Sequence, residues 1–150
     1  MTDRIIVATF DDANAAYDAA SAIKELKDAG VADFKLKAGV MVSKDDKGNV
    51  SVLEDKNRTL LGTMVGAVSG ALVGLIGGAP GALLGAGAGA TAGLTGDAVA
   101  AGFDDDFVEN VTGDMRPGTT AIIVEADEGS TRPVDDIVAL RHGNVYRQAA

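Results

Sequence analysis

The stretch TTAIIVE, at residues 119–125, decides the fold, because its β-branched and apolar residues follow one another without interruption. This run is the strongest strand signal in the chain. Before it, Arg-Pro-Gly at 116–118 is typical of a turn. After it, a helix is predicted from Pro133 to residue 140, since proline fits the first turn of a helix. His-Gly-Asn at 142–144 ends that helix, and a last strand is predicted at 145–148.

The N-terminal part repeats the same order of elements. RIIVATF at residues 4–10 predicts a strand, and Asp11 or Asp12 can cap the helix that follows. The apolar stripe of that helix ends near Gly30, a plausible stop signal. Alternating apolar residues then predict a strand at about 35–43, and the turn chemistry after it predicts a β-hairpin whose second strand is 50–54.

Two strand–helix–strand units of this kind predict a single α+β domain, a ferredoxin-like split βαβ sandwich. Residues 1–54 form the first βαβ half plus a β-hairpin, and residues 98–150 form the second half. The second half begins with a short helix opened by Asp-Asp-Asp at 104–106 and reaching about residue 111. Between the halves, residues 59–97 form a glycine-rich insertion.

The insertion has an unusual composition. No charged residue lies between Arg58 and Asp97, and glycine recurs at every fourth position in two series. The two series are mirror images about a point between Ala79 and Pro80. The first series is Gly62, Gly66, Gly70, Gly74 and Gly78, and the second is Gly81, Gly85, Gly89 and Gly93.

The mirror arrangement predicts an antiparallel helical hairpin with glycine facing glycine. Each interior glycine costs a helix about 1 kcal/mol relative to alanine, so a close contact between two helix backbones must offset the cost. These nine glycines are therefore the predicted residues of helix contact and oligomerisation, in the manner of a glycine zipper. A disordered Gly/Ala linker is the weaker interpretation, since Leu, Val, Ile and Met fill the spaces between glycines.

If the glycines face inward, a band of bulky apolar residues faces outward and needs a cover. A bilayer, other subunits and the protein's own sheet are the three candidates. The bilayer and the other subunits are equal alternatives. Residues 60–79 have the length of a membrane span, which favours a bilayer. The second helix is mostly Gly and Ala and carries few large apolar side chains, which weakens that interpretation. Cover by the protein's own sheet is the weaker alternative. The band comprises Leu61, Met64, Val65, Val68, Leu72, Leu75, Ile76, Leu83, Leu84 and Leu94.

Five segments together resemble a known family. They are AYDAASAIKELKDAG at 16–30, the turn-rich hairpin, the glycine-rich segment, GFDDDFVENV at 102–111 and MRPGTTAIIVEAD at 115–127. The chain resembles family 1269 of the domains of unknown function, which is labelled as uncharacterised membrane proteins of bacteria and archaea. The resemblance implies no established activity, and it carries no functional residues onto this chain.

Composition narrows the function classes. The formal net charge of −9 argues against nucleic acid as a partner, and the absence of cysteine excludes disulfides and thiolate metal sites. His142 is the lone histidine and is expected to be a solvated loop residue. The acids at 104–106 are expected to serve helix capping and solubility rather than cation binding. The N-terminus lacks a secretory pattern, which predicts a cytoplasmic or cytoplasmic-membrane-associated protein that is not secreted.

These observations predict a non-enzymatic structural or interaction protein, with no cofactor and no metal, that self-associates through the hairpin. It forms a soluble homo-oligomer or associates with a membrane, and a stress-related role rests on analogy alone. The alternative is a small-ligand sensor or binding domain that uses the open face of the sheet. An enzyme ranks third, because the sequence reveals no cluster of catalytic residue types.

Overall fold

The computed structural model describes residues 2–53, Leu72 and residues 103–149. Within these residues there are five strands and three helices, in an α+β arrangement. In chain order they are β1 (Thr2–Phe10), α1 (Ala13–Asp28), β2 (Phe34–Lys44), β3 (Val50–Leu53), α2 (Asp105–Asp114), β4 (Thr120–Glu128), α3 (Arg132–Ala139) and β5 (Asn144–Ala149). The nine glycines of the predicted hairpin lie outside the described residues.

The five strands form one antiparallel sheet in the order β3-β2-β4-β1-β5. The run predicted as the strongest strand is part of β4, near the middle of the sheet. It pairs with β1 on one side and with β2 on the other. Strands that are neighbours along the chain on either side of a helix are therefore separated by one strand in the sheet.

One face of the sheet is covered by α1 and α3. The small residues Ala16, Ala19 and Ala20 of α1 are fully buried, which lets the helix lie close to the strands. Alternate residues of the central strands, such as Ile6 and Ile122, complete this cluster. We call this side the α1/α3 face.

The opposite face is covered by α2 and by Leu72. Phe107 and Val111 of α2 are buried in one cluster with sheet residues such as Val7 and Ile123. Leu72 is helical, has no exposed surface and belongs to the same cluster. We call this side the α2 face.

The capping and turn residues identified in the sequence lie where the structure begins, ends or connects the predicted elements. The Asp12 carboxylate accepts a hydrogen bond from the Asn14 N–H at 2.9 Å and so caps α1. Gly30 follows α1 with φ = 66°, a left-handed conformation that favours glycine. In the hairpin turn, the Asp45 side chain accepts hydrogen bonds from the N–H groups of Lys47 and Asn49. An Asx-type turn therefore sets the β2–β3 connection.

Two elements extend beyond their predicted C-terminal ends. The helix predicted to reach about residue 111 continues to Asp114, and the strand predicted to end at 125 continues to Glu128. The added residues are mostly polar or small, so apolar periodicity gave no sign of them. Both extensions carry side chains of the candidate site described below.

The apolar alternation in β2 is interrupted by a bulge between Leu36 and Ala38. The extra residue, Lys37, shifts the register, so Phe34 lies on the α1/α3 face while Val40 and Val42 lie on the α2 face. The bulge directs the Lys37 ammonium group to Asp3, with which it forms an ion pair. This hydrogen bond raises the pKa of Lys37 above its ordinary value.

Gly143 has no room for a side chain. A Cβ added there would lie 2.6 Å from Cε1 of Phe10 and 2.8 Å from the backbone oxygen of Thr9. We predict that Gly143→Ala lowers the free energy of unfolding by about 1–3 kcal/mol, because the ring and the β1 backbone must shift. Chemical denaturation measured by circular dichroism checks this value.

Gly113→Ala is the matched control. Gly113 lies within α2, and an added Cβ there meets nothing within 4 Å. Because alanine favours helix over glycine, this variant should be neutral or more stable by up to about 1 kcal/mol. Equal losses in the two variants would contradict the close approach at Gly143.

Candidate functional site

Asp114 is the centre of a polar cluster that joins α2 to the sheet. One oxygen of its carboxylate, Oδ2, accepts hydrogen bonds from Thr9 Oγ1 at 2.5 Å, Tyr146 OH at 2.8 Å and Asn144 Nδ2 at 3.1 Å. Thr9 is in β1, and the other two donors are in β5. Three donors on two adjacent strands therefore hold the last residue of α2.

The three donors set the charge state of the cluster. Partial burial raises the pKa of Asp114, but the hydrogen bonds from Thr9, Tyr146 and Asn144 outweigh this effect, so the pKa lies below its ordinary value. Burial, together with the bond to the Asp114 carboxylate, raises the pKa of Tyr146. A general base works best with a pKa near the working pH, so the lowered pKa makes Asp114 a weak base. The geometry suits anchoring better than proton transfer.

A second polar network lies on the α1/α3 face. The Arg147 guanidinium donates to both oxygens of Glu128, at 2.9 and 3.1 Å, and to Asp135 at 2.6 Å. The Glu128 side chain is only 1% exposed, and Arg4 lies 3.8 Å away from it. Arg147 also donates to the Thr131 backbone oxygen.

This network joins β5, β4 and the start of α3. Burial lowers the pKa of Arg147, but the bonds to Glu128 and Asp135 outweigh burial and raise it. A planar guanidinium that meets a buried carboxylate in two bonds orients both groups. Because its donors are directed at protein acceptors, Arg147 has a positioning role rather than that of a free anion-binding group.

A groove of about 970 Å³ lies between α2 and β5. Its wall on α2 carries three successive carboxylates, those of Asp104, Asp105 and Asp106, together with Asn110. Its other wall is formed by β5 at Val145, Tyr146 and Arg147. Phe103 and Phe107 form the apolar base, with ring centroids 6.4 Å apart and nearly parallel planes. This groove combines a concave surface with exposed charge.

The structure gives mixed outcomes for the residues singled out in the sequence. His142 is an exposed loop residue with φ = 58°, which confirms the prediction. Asp104 precedes α2 as its N-cap residue, but its side chain makes no cap hydrogen bond, so the expected capping role is wrong for that carboxylate. Asp105 and Asp106 lie in the first turn and are exposed, as solubility residues would be.

Sequence reasoning missed the anchoring residues Asp114, Glu128 and Arg147. Each lies near the end of its element and finds its partners on elements distant in the chain. The polar residues at 144, 146 and 148 gave a weak signal, because they alternate along the last strand. An alternation of this kind indicates one shared face, but it does not name the carboxylate that the face meets.

The comparisons with known proteins give one match. The sequence profile described as a protein of unknown function, DUF1269, matches residues 60–149. The chain belongs to the DUF1269 family. The match includes the glycine-rich segment, α2, β4, α3 and β5, so the elements that carry the Asp114 cluster and the groove are largely within it. Searches of curated proteins and of solved structures found no match.

Two further findings concern the described part of this DUF1269 chain. No helix within residues 2–53 and 103–149 combines the length and the apolar character needed to cross a bilayer. Among the same residues, no three His, Asp or Glu side chains are grouped so that they could hold a metal ion. The described site offers hydrogen bonding, ion pairing and a groove lined by carboxylates.

We predict that Asp114→Asn lowers the free energy of unfolding at pH 7 by about 1–2 kcal/mol, since it replaces a charged acceptor of three hydrogen bonds. The folded pKa of Asp114 is depressed, so its contribution is present above the unfolded value and is lost as pH falls through the folded value. The difference between wild type and variant should therefore shrink below about pH 4.

Glu109→Gln on the exposed side of α2 is the control for this variant and should change stability little. Denaturant titrations at several pH values measure both variants. If the Asp114→Asn difference stayed constant down to the lowest accessible pH, the carboxylate charge would not be the source of the effect.

Proposed function

We propose that this DUF1269 protein is a non-enzymatic structural or interaction protein that self-associates through the helical hairpin predicted at 59–97. The observation that carries the proposal is the burial of Leu72. This residue belongs to the predicted outward band of the hairpin, yet it is helical and fully buried among residues of the α2 face. We infer from this contact that the first arm of the predicted hairpin packs on the sheet at Leu72. Cover by the protein's own sheet was the weaker of the alternatives considered for the sequence.

The width of the sheet supports an exposed second arm. Five strands spaced about 4.8 Å apart span roughly 20–25 Å, and a helix with its side chains is about 10 Å across. The α2 face therefore has room for about two helices. Because α2 packs near β5 and Leu72 fills a second part of this face, we infer that the second arm of the predicted hairpin does not lie on the sheet. We infer that it contacts the first arm through the glycines and offers its outer surface to another copy.

The strand order supports a finer description of the fold. Without the edge strand β3, the order is β2-β4-β1-β5, and the units β1-α1-β2 and β4-α3-β5 interleave. A ferredoxin-like split βαβ domain has this connectivity. In this description the segment between β3 and α2 is an insertion that carries the glycine-zipper hairpin.

A bilayer is the other environment that could receive the second arm, and it remains the alternative location. A soluble homo-oligomer has better support, because at Leu72 the cover is protein and not lipid. The alternative function, a small-ligand sensor on an open sheet face, has less support. Central residues on both faces of the sheet, such as Ile122 and Ile123, have no exposed surface.

Glycine substitutions test the self-association. Gly70→Leu and Gly89→Leu should disrupt the hairpin contact and change oligomer size, whereas Ser69→Ala should leave it unchanged, because a leucine side chain separates two close helices. Light scattering in plain buffer and again in detergent measures the size of each variant. A wild-type monomer in both solutions, or identical sizes for all three variants, would overturn the proposal.

Leu72→Ala tests the attachment of the first arm to the sheet. We predict a loss of about 2–5 kcal/mol in the free energy of unfolding, as is usual for a fully buried leucine. Leu140→Ala is the control, since Leu140 is 78% exposed. The loss at Leu72 should be the same in dilute and concentrated protein. A loss that appears only at concentrations where oligomers form would place the contact between chains instead.

A further inference from the structure

The connection between α1 and β2 borders a cleft of about 530 Å³, a size that suits a small molecule. The apolar lining of this cleft includes Val31 of the connection, together with Phe34 and Leu36 of β2. Phe34 is buried in the cluster of the α1/α3 face, whereas Val31 and Leu36 pack against that cluster with part of their surface exposed. An apolar ligand in the cleft would therefore contact side chains that belong to the core or pack on it.

The walls of the cleft are held by hydrogen bonds of the backbone. After α1, the Gly30 N–H donates to the Lys27 oxygen at 3.1 Å. The Val31 N–H then donates to the Leu26 oxygen at 3.3 Å, and the Phe34 N–H donates to the Val31 oxygen at 3.2 Å. Gly30 also lines the cleft, and a Cβ built there would meet nothing within 4 Å, so open space lies beside it. The cleft is thus formed without a ligand, as is usual for small-molecule sites.

Lys27 and Lys35 place positive charge at the border of this apolar surface. Both residues line the cleft and are exposed. Within the part of the chain that the structure describes, neither ammonium group forms an ion pair or a hydrogen bond, whereas Lys37 and Arg147 are each bonded to a carboxylate. The N–H of Ala32, another lining residue, also has no acceptor among the described residues. Three donors without a described acceptor therefore lie beside apolar side chains.

We propose that this cleft binds a small carboxylate with an apolar body, such as a medium-chain fatty acid. Its carboxylate lies at Lys27 and Lys35, because ammonium groups form charge-assisted hydrogen bonds with a carboxylate. Its alkyl chain lies against Val31, Phe34 and Leu36, where it leaves water. An inorganic anion matches only the charged part of the cleft and a neutral alcohol only the apolar part, so the combination determines the ligand class.

Titration of the isotope-labelled full chain with octanoate, followed by NMR of the backbone amides, tests the proposal. Octanoate should bind with a Kd of about 1 mM or lower and should shift the signals of residues 27–36. Octanol lacks the charge and acetate lacks the alkyl chain. Each of these two compounds should bind at least about tenfold more weakly than octanoate, since each makes only part of the contacts.

Two variants with equal changes in net charge separate the cleft from general attraction. Lys27→Gln with Lys35→Gln should weaken octanoate binding about tenfold, because both cationic donors are removed. Lys24→Gln with Lys47→Gln changes two lysines outside the cleft lining and should leave the affinity unchanged. All four side chains are at least partly exposed, so both variants should keep the wild-type amide spectrum away from the substituted residues.

Four results would overturn the proposal. They are failure of octanoate to bind, equal affinity for octanoate and either octanol or acetate, equal weakening by the two double variants, and signal shifts that lie outside residues 27–36. Because the glycine variants address the hairpin and these variants address the cleft, either proposal can fail independently of the other.

Discussion

The burial of the two central strands on both faces is the constraint on which the rest of the structure depends. In β4, the successive residues Ala121, Ile122, Ile123 and Val124 are each at most 2% exposed. A sheet with such strands needs a cover on each side, because each large apolar side chain left in water forgoes about 1.5–3 kcal/mol. The two βαβ units supply α1 and α3 for one side only. The other side is covered by elements from the segment between β3 and β4.

This requirement explains where the polar networks lie. The helix α2 does not belong to either βαβ unit, and its last residue, Asp114, is fixed by Thr9, Asn144 and Tyr146. On the opposite face of the sheet, Arg147 joins the buried Glu128 to the start of α3. The two networks therefore hold the covers of both faces to the same edge strand. The lowered pKa of Asp114 and the occupied donors of Arg147 are consistent with anchoring, and the free carboxylates lie in the groove beside them.

Much of the fold could be predicted because its signals are local. The Asp12 cap, the Asp45 turn and the run at 119–125 each depend on neighbours in the sequence, and each element forms where predicted. The bulge at Lys37 and the partners of Asp114 depend on pairing between distant strands, for which a single sequence gives no register. The environment of Leu72 could not be predicted for the same reason. The helical spacing of the apolar residues around it indicates a face that needs burial, but not the surface that buries it. The groove was missed because it exists only when α2 lies beside β5.

The packing of Leu72 against the α2 face of its own chain joins the glycine-rich segment to the sheet at this residue. Methyl nuclear Overhauser effects in uniformly labelled and in mixed labelled–unlabelled protein test it most directly. We expect contacts from the Leu72 methyl groups to sheet residues of its cluster, such as Val40 and Val42, in the uniform sample, and none between labelled and unlabelled chains. Contacts that appear between chains, or no contacts in either sample, would contradict the claim.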